Sequence, residues 1–417
     1  MTQHIDHVYD VVVIGGGAAG FFGAINIVER HRSASVVIME KTHQVLSKVR
    51  VSGGGRCNVT HEELPIKTFA KHYPRGDKEL RQLFQEFSSV DTQKWFEKKG
   101  VVLKTELDGR VFPQSNTSQT IIDCFTKEVR DKNIEVKISC AIIRARKENN
   151  LFYLTTANEE EICAKYLLAC TGGSQNNSHY NWLKGLLQPV TTVYPSLFTF
   201  NAADHVLKEL TGVSLPHSKI RIRNSKLQEE GPLLITHWGL SGPVILKLSA
   251  WGAVELAQKL YLFDVLICWD HTYTEASLKE KMNALIKDHG KKKIHNTTME
   301  PIPKRLWDLL LFQSDITEEL TWNNISHKKI NKLIENLISY PLSVRGKTTF
   351  KDEFVTAGGV SLKDIHLNSM ESKYTPGLYF AGELLDIDGI TGGFNFQAAW
   401  TTAFIAAKNI VSSFNKQ

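Results

Sequence analysis

The run Gly15-Gly16-Gly17-Ala18-Ala19-Gly20 constrains this chain more than any other feature. It satisfies G-x-G-x-x-G, a pattern that is weak alone and specific in the right context. Ahead of it, residues 9–14 (YDVVVI) form a β-branched run suited to a strand buried on both faces. Behind it, Ala18–Arg30 reads as a helix, and residues 35–39 as a second strand that ends on Glu40, 20 residues beyond Gly20. Strand, helix and strand at this spacing make a βαβ unit with a parallel pair. Gly15 permits the tight turn, Gly17 lets the backbone approach a pyrophosphate, and Gly20 lets helix and strand pack closely. The helix N-terminus attracts the phosphates, and Glu40 can accept hydrogen bonds from a ribose. The spacing therefore predicts a dinucleotide site.

The glycine turn also explains the uncharged stretch at residues 11–28, which otherwise has the length of a membrane span. It holds five glycines, and Asp6 and Asp10 stand where a signal peptide carries basic residues. The six cysteines form no CxxC pair, which fits reduced thiols of a soluble cytoplasmic protein better than bridges or a zinc cage. A net charge of +6 admits an anionic ligand or RNA and requires neither. There is no HExxH, P-loop or EF-hand loop, so no metal site is expected, and nothing names an obligate protein partner.

Further along, residues 78–99 show helical spacing, residues 134–157 alternate as a hairpin or meander, and residues 166–170 form an apolar run before Thr171-Gly172-Gly173. Residues 378–381 read as another strand and residues 395–412 as a terminal helix. The texture changes at residues 195–345: strand-like segments first (233–236, 259–268), then helix-like ones from 275 to 340. That stretch reads as an insertion splitting one nucleotide-binding domain into segments 1–194 and 346–417.

Three features favour FAD over NAD. Gly53 to Gly55 give close backbone approach to a flat ring or phosphate. Thr171-Gly172-Gly173 resembles the ATG turn of glutathione-reductase-like flavoproteins, and residues 378–388 (LYFAGELLDID) resemble their C-terminal flavin strand. No second G-x-G-x-x-G follows a strand, so hydride must come from a transiently docked NAD(P)H or from the substrate itself.

Longer strings carry a family resemblance: SGGGRCNVT (52–60), GRVFPQS (109–115), TGGSQ (171–175), THWGLSGP (236–243), VTAGGV (355–360), MESK (370–373) and GLYFAGELLDIDGITGGFNFQAAW (377–400). With GGGAAG (15–20) and MEK (39–41), they make the chain resemble the BaiN/YhiN-like flavoproteins, which include aminoacetone-oxidase-like proteins. The resemblance implies an α/β fold: a glutathione-reductase-like, Rossmann-type FAD domain with an inserted β-barrel plus helical domain. By matched position it implies FAD contacts at Gly15, Gly17, Ala18, Ala19, Glu40, Lys41, Gly54, Arg56, Cys57 and Asn58. It adds Thr171, Gly172, Gly382, Glu383, Asp388, Gly393, Asn395 and Gln397. Two departures stand out: Leu46-Ser47-Lys48 replaces the family's GKK, and residues 175–179 replace a glycine-rich continuation. Activities associated with the family include reduction of conjugated C=C bonds, oxidation of a small amine and reduction of uridine in ribosomal RNA.

Flavin supplies hydride chemistry, and a C=C reduction also needs a proton donor. Cys57 and His237 are the candidates. Cys57 reads either as a thiol donor near the ring, beside Arg56, or as a buried small residue packing the flavin. His237 reads either as a polar group lining a substrate pocket or as a histidine satisfied by backbone. Three functional expectations follow. The first is an FAD-dependent oxidoreductase acting on an activated C=C or C–N bond of a small molecule, reduced by NAD(P)H. The second is reduction of uridine in large-subunit rRNA, and the third a non-catalytic redox-sensing module.

Overall fold

The computed structural model describes residues 7–62, 64–202, 205–349 and 355–414, with only the backbone of residues 205 and 206. It divides into two compact units, Met1–Pro195 with Lys351–Gln417, and Ser196–Phe350.

The first unit is built on a parallel sheet. Its strands run in the order Glu135–Lys137, Val36–Met39, Val8–Ile14, Glu161–Ala169 and Leu378–Phe380, with Glu371–Ser372 and Ile365–His366 added antiparallel at the far edge. Val11 pairs with Val36 on one side and Tyr166 on the other, and Leu378 pairs with Leu167. Val11, Val12 and Val13 have no exposed surface, the outcome expected of an uninterrupted apolar strand covered on both faces. Each such side chain contributes roughly 1.5–3 kcal/mol on burial.

The helix Ala18–Arg30 lies against the terminal helix Phe394–Phe414. A meander, Ile142–Glu148, Leu151–Thr156 and Glu161–Ala169, extends the sheet. The uncharged run at 11–28 is thus a strand, a turn and a helix, and among the described residues no helix is long and apolar enough to cross a membrane.

One expected helix is two. Residues 78–99 fold as Asp77–Leu83 and Ser89–Lys98. Ser88 caps the second through a capping box with Asp91, while Phe84 and Phe87 in the break stay buried, so apolar spacing runs on through the interruption.

The second unit is a closed six-stranded antiparallel barrel. Around it run Thr199–Ala202, Gly239–Ser241, Gln228–Thr236, Ser214–Ile222, Leu262–Cys268 and Tyr340–Thr348. Phe200, Leu215, Ile220, Ile235, Val265 and Val344 belong to its core. Between the last two strands the chain forms helices Glu275–His289, Lys304–Gln313 and His327–Ile338, packed around Trp307 and Trp322. The final barrel strand carries this unit past residue 345, because Lys347 and Thr348 pair with Phe200 and Thr199 of the first strand and close the barrel.

Candidate functional site

In a parallel sheet all carboxyl ends lie on one edge, and ligands bind outside it. Here four neighbouring strands deliver Gly15–Gly17, Glu40, Thr171–Gly172 and Gly382–Glu383 to that edge. Gly15 adopts φ +114° and donates its N–H to the Met39 carbonyl at 2.7 Å. A Cβ on Gly15 would stand 2.3 Å from the Cys170 carbonyl oxygen, so two strand ends meet there through bare backbone. Gly20 is required for a second close approach: its Cβ would lie 2.0 Å from the Gly15 carbonyl oxygen.

Gly17 begins the helix with no side-chain cap and no acidic residue in the first turn, leaving the amide dipoles there uncompensated by the chain. A Cβ at Gly17 or at Gly172 would meet nothing within 4 Å, so both backbones face open space. Beside them the Thr171 hydroxyl is buried and finds no partner among the described residues. Glu40 is fixed in place: one oxygen accepts from the Gly16 N–H at 2.8 Å, the other from the Thr42 N–H at 2.9 Å and the Thr42 hydroxyl at 2.8 Å. Gly382 sits close to the first helix, its Cβ position 2.9 Å from the Ala19 Cβ. An uncapped helix start, two open glycine backbones, an orphan hydroxyl and a held carboxylate are the donors and acceptors that a dinucleotide's pyrophosphate and ribose require.

The triple-glycine segment follows a short helix that begins at Ser47, not the second strand directly. Gly53, Gly54 and Gly55 take φ of 59°, 69° and 82°, a left-handed run that excludes side chains. Gly54 is exposed, with nothing within 4 Å of its Cβ position. Arg56 turns to the three-stranded antiparallel sheet of Thr60–His61, Arg110–Pro113 and Leu103–Thr105, pairing with Glu106 at 2.7 Å and lying over the Phe112 ring at 4.0 Å. In the amide orientation that satisfies both its ends, Asn58 donates to the Thr60 and Val111 carbonyls and accepts from the Gly393 N–H at 2.9 Å. Asn395 clamps Gly389 through two bonds, at 2.8 and 2.9 Å.

Three residues matched as ligand contacts are enclosed in the structure. Cys57, Asp388 and Gln397 are each 0 % exposed. Gln397 accepts from Thr60 at 2.6 Å and Thr92 at 2.9 Å and donates to Thr401 at 3.1 Å. Asp388 receives a two-pronged bond from Arg75. Burial pushes the Cys57 thiol up to about 12, opposed only by a hydrogen bond with Ser52. None of the three offers surface to a bound molecule in this arrangement, and the enclosed Cys57 thiol is unsuited to deliver a proton. His237 belongs to the barrel unit, exposed on the turn between Gln228–Thr236 and Gly239–Ser241 and edge-on to Trp238.

Sequence reading missed several participants. Lys48 pairs with Glu383 at 2.7 Å, and the other Glu383 oxygen accepts from the Thr356 N–H at 3.0 Å. His179 reaches the Gly172 carbonyl at 3.2 Å with one nitrogen and Lys41 at 3.4 Å with the other. Both lie in the segments that depart from the family pattern, and that departure was the available signal.

Residues 9–409 match the family model described as HI0933-like protein Rossmann domain. The chain belongs to that family. It is 27% identical to the ribosomal RNA dihydrouridine synthase of Escherichia coli K12, over 97% of this chain and 98% of that protein. It is 26% identical to the 3-dehydro-bile acid delta(4,6)-reductase of Clostridium scindens, over 95% and 97%. Among solved structures it is similar to the 3-ketosteroid delta1-dehydrogenase of Sterolibacterium denitrificans, with TM-score 0.52, 10% identity and coverage of 97% and 100%. The 3-ketosteroid-delta4-(5alpha)-dehydrogenase of Rhodococcus jostii RHA1 gives TM-score 0.51, 12% identity and coverage of 98% of both chains. These likenesses establish the Rossmann fold with a second unit.

Proposed function

We propose that the chain binds FAD at this sheet edge and reduces a carbon–carbon double bond conjugated to a carbonyl. The cradle carries the reading: the open backbones at Gly17 and Gly172 with the orphan Thr171 hydroxyl between strand ends. The names of the full-length relatives support the reaction class, since uridine and an unsaturated bile-acid ketone both present such a bond. Bound FAD supplies the hydride, fed by NAD(P)H. The chain's own work is to hold and orient it: the Ala18 helix start takes the pyrophosphate, and Glu40 takes the ribose hydroxyls. Lys41, exposed next to Glu40, would add a positive charge at that end of the site, and the Lys48–Glu383 pair fixes a charge at the end of the Leu378–Phe380 strand. Of the two proton-donor candidates, Cys57 is enclosed and His237 is exposed.

The test is an anaerobic visible spectrum of the purified protein before and after NADH or NADPH. Bleaching of the flavin band, followed by recovery on adding an enone or a uridine-containing RNA, is expected. A colourless protein that fails to bind added FAD refutes the reading. A flavin that neither nicotinamide reduces favours an oxidase or a redox sensor. A second, finer reading takes uridine in ribosomal RNA as the substrate, on the strength of two full-length relatives of that name. Intact uridine content in the rRNA of a wild-type strain, matching that of a deletion strain, would sink it.

A further inference from the structure

The helices inserted ahead of the last barrel strand gather lysines at one corner of the second unit. The Asn323 N–H donates to the Gly290 carbonyl at 2.8 Å and the Trp322 N–H to the Lys292 carbonyl at 3.3 Å. The end of helix Glu275–His289 therefore lies beside the turn that starts helix His327–Ile338. Lys287, Lys291 and Lys292 stand at that helix end, and Lys328 and Lys329 lie in the first turn of helix His327–Ile338. The first four are exposed and Lys329 half-buried, and among the described residues none of the five has an ion pair within 4.0 Å.

Two nearby carboxylates are held by other lysines, while Asp288 at the same helix end is exposed and, among the described residues, has no ion pair within 4.0 Å. Glu319 holds Lys293 at 2.7 Å and Asp315 holds Lys332 at 2.9 Å. The hydrogen bond from Lys332, then the charges of Lys332, Lys329 and Lys328, keep the Asp315 carboxyl below its usual range, so three lysines share one carboxylate. An exposed aromatic ring stands at the end of the neighbouring helix Lys304–Gln313. Phe312 is 75% exposed, and its carbonyl accepts from the Asp315 N–H at 3.0 Å. Ser314, between them, accepts from Asn336 of helix His327–Ile338 at 2.9 Å.

Clustered ammonium groups beside an exposed aromatic face fit a polyanion that also offers flat rings, which is the chemistry of single-stranded nucleic acid. We infer that this corner docks RNA, the lysines taking backbone phosphates and Phe312 stacking on an unpaired base. The inference rests on the rRNA reading above and names the surface that reading lacks.

The experiment measures binding of a fluorescent RNA hairpin with an unpaired uridine loop to the full-length, FAD-loaded protein across a potassium chloride series. Five phosphate contacts predict a slope of log K against log salt of about −3.5 for single-stranded RNA. Lys291→Ala/Lys292→Ala/Lys328→Ala should flatten that slope by about 2. Phe312→Ala should weaken binding about tenfold and leave the slope unchanged. Exposed Lys226→Ala serves as the control and should change neither. All variants should keep the wild-type rate of flavin reduction by nicotinamide. If wild type binds and the triple variant binds equally, the surface is wrong and the RNA reading survives. If wild type ignores RNA even at low salt, both fall while reduction of small enones stands. Capture by anionic vesicles instead of RNA would overturn the assignment in favour of a membrane surface.

Discussion

Replacing Arg75 by methionine tests whether Asp388 is a structural or a ligand-binding carboxylate. Arg75 donates to both Asp388 oxygens, and the two residues also form an antiparallel backbone bridge. The Arg75 side chain keeps 18% exposure while that of Asp388 has none. Arg75→Met retains the aliphatic stem and takes the two-pronged partner from a buried carboxylate, a loss that typically costs about 3–5 kcal/mol. A ceiling follows independently: neutralising a carboxyl of ordinary acidity at pH 7 costs about 4 kcal/mol, and that figure falls by about 1.4 kcal/mol per pH unit. The loss should therefore shrink to about 1.5 kcal/mol at pH 5.

The reverse substitution is asymmetric. Asp388→Asn leaves a guanidinium that can turn to water, at a cost of about 1–2 kcal/mol. Combining the two substitutions should cost less than their sum, since the second removes what the first left unpaired. Urea unfolding of wild type, both single variants and the double variant, at pH 7 and pH 5 and a fixed FAD concentration, measures all of this. A loss in Arg75→Met that is the same at both pH values, or that at pH 7 is no larger than the loss in Asp388→Asn, would refute the reasoning.

Gly17→Ala places its methyl in open space from an extended backbone, so stability should change by less than about 1 kcal/mol while FAD affinity falls at least tenfold. Gly20→Ala drives a methyl to 2.0 Å from the Gly15 carbonyl oxygen, and FAD-free or insoluble protein is expected; fluorescence titration with FAD separates the pair. Burial, reinforced by Lys41, holds His179 below the ordinary histidine value of 6.5. The unfolded chain thus binds its proton first, and the His179 contribution is complete above about pH 6.5 and is lost as pH falls through the depressed folded value. His179→Gln should flatten the stability profile between about pH 7 and 5, and an unchanged profile would exclude His179 as its source. Native iodoacetamide labelling read by mass spectrometry should reach Cys140 and Cys268 before Cys57 and Cys170, which are buried. Cys57→Ala should keep turnover per bound FAD within about twofold; a tenfold loss at full FAD content would restore the thiol as donor.

The glycine turn and its flanking strands were legible because each part is local. Gly15, Gly20 and Glu40 are fixed by chain geometry within one βαβ unit, and the helix bounds Ala18–Arg30 appear as read. The break at Phe84–Ser88 was also present in sequence, as Ser88 and Asp91 three residues apart, but the apolar spacing around it masked the cap. The partners of Gln397 lie at Thr60 and Thr92, more than 300 residues away in the chain, and no local pattern could couple them.

What the sequence determined by itself is the nucleotide-binding half of the problem: a parallel sheet edge with a bare glycine turn, an acidic residue after the second strand, and an insertion of different texture. Those features depend on residue type and short spacing, which a chain carries with it before it folds. Tertiary structure decided which of the matched residues face outward and which are consumed inside. Asp388 was claimed by Arg75 and Gln397 by two threonines, while Lys48 and His179 came to the site from segments with no motif. The physical reason is that a buried polar group must be paired, and its partner is chosen by proximity in space.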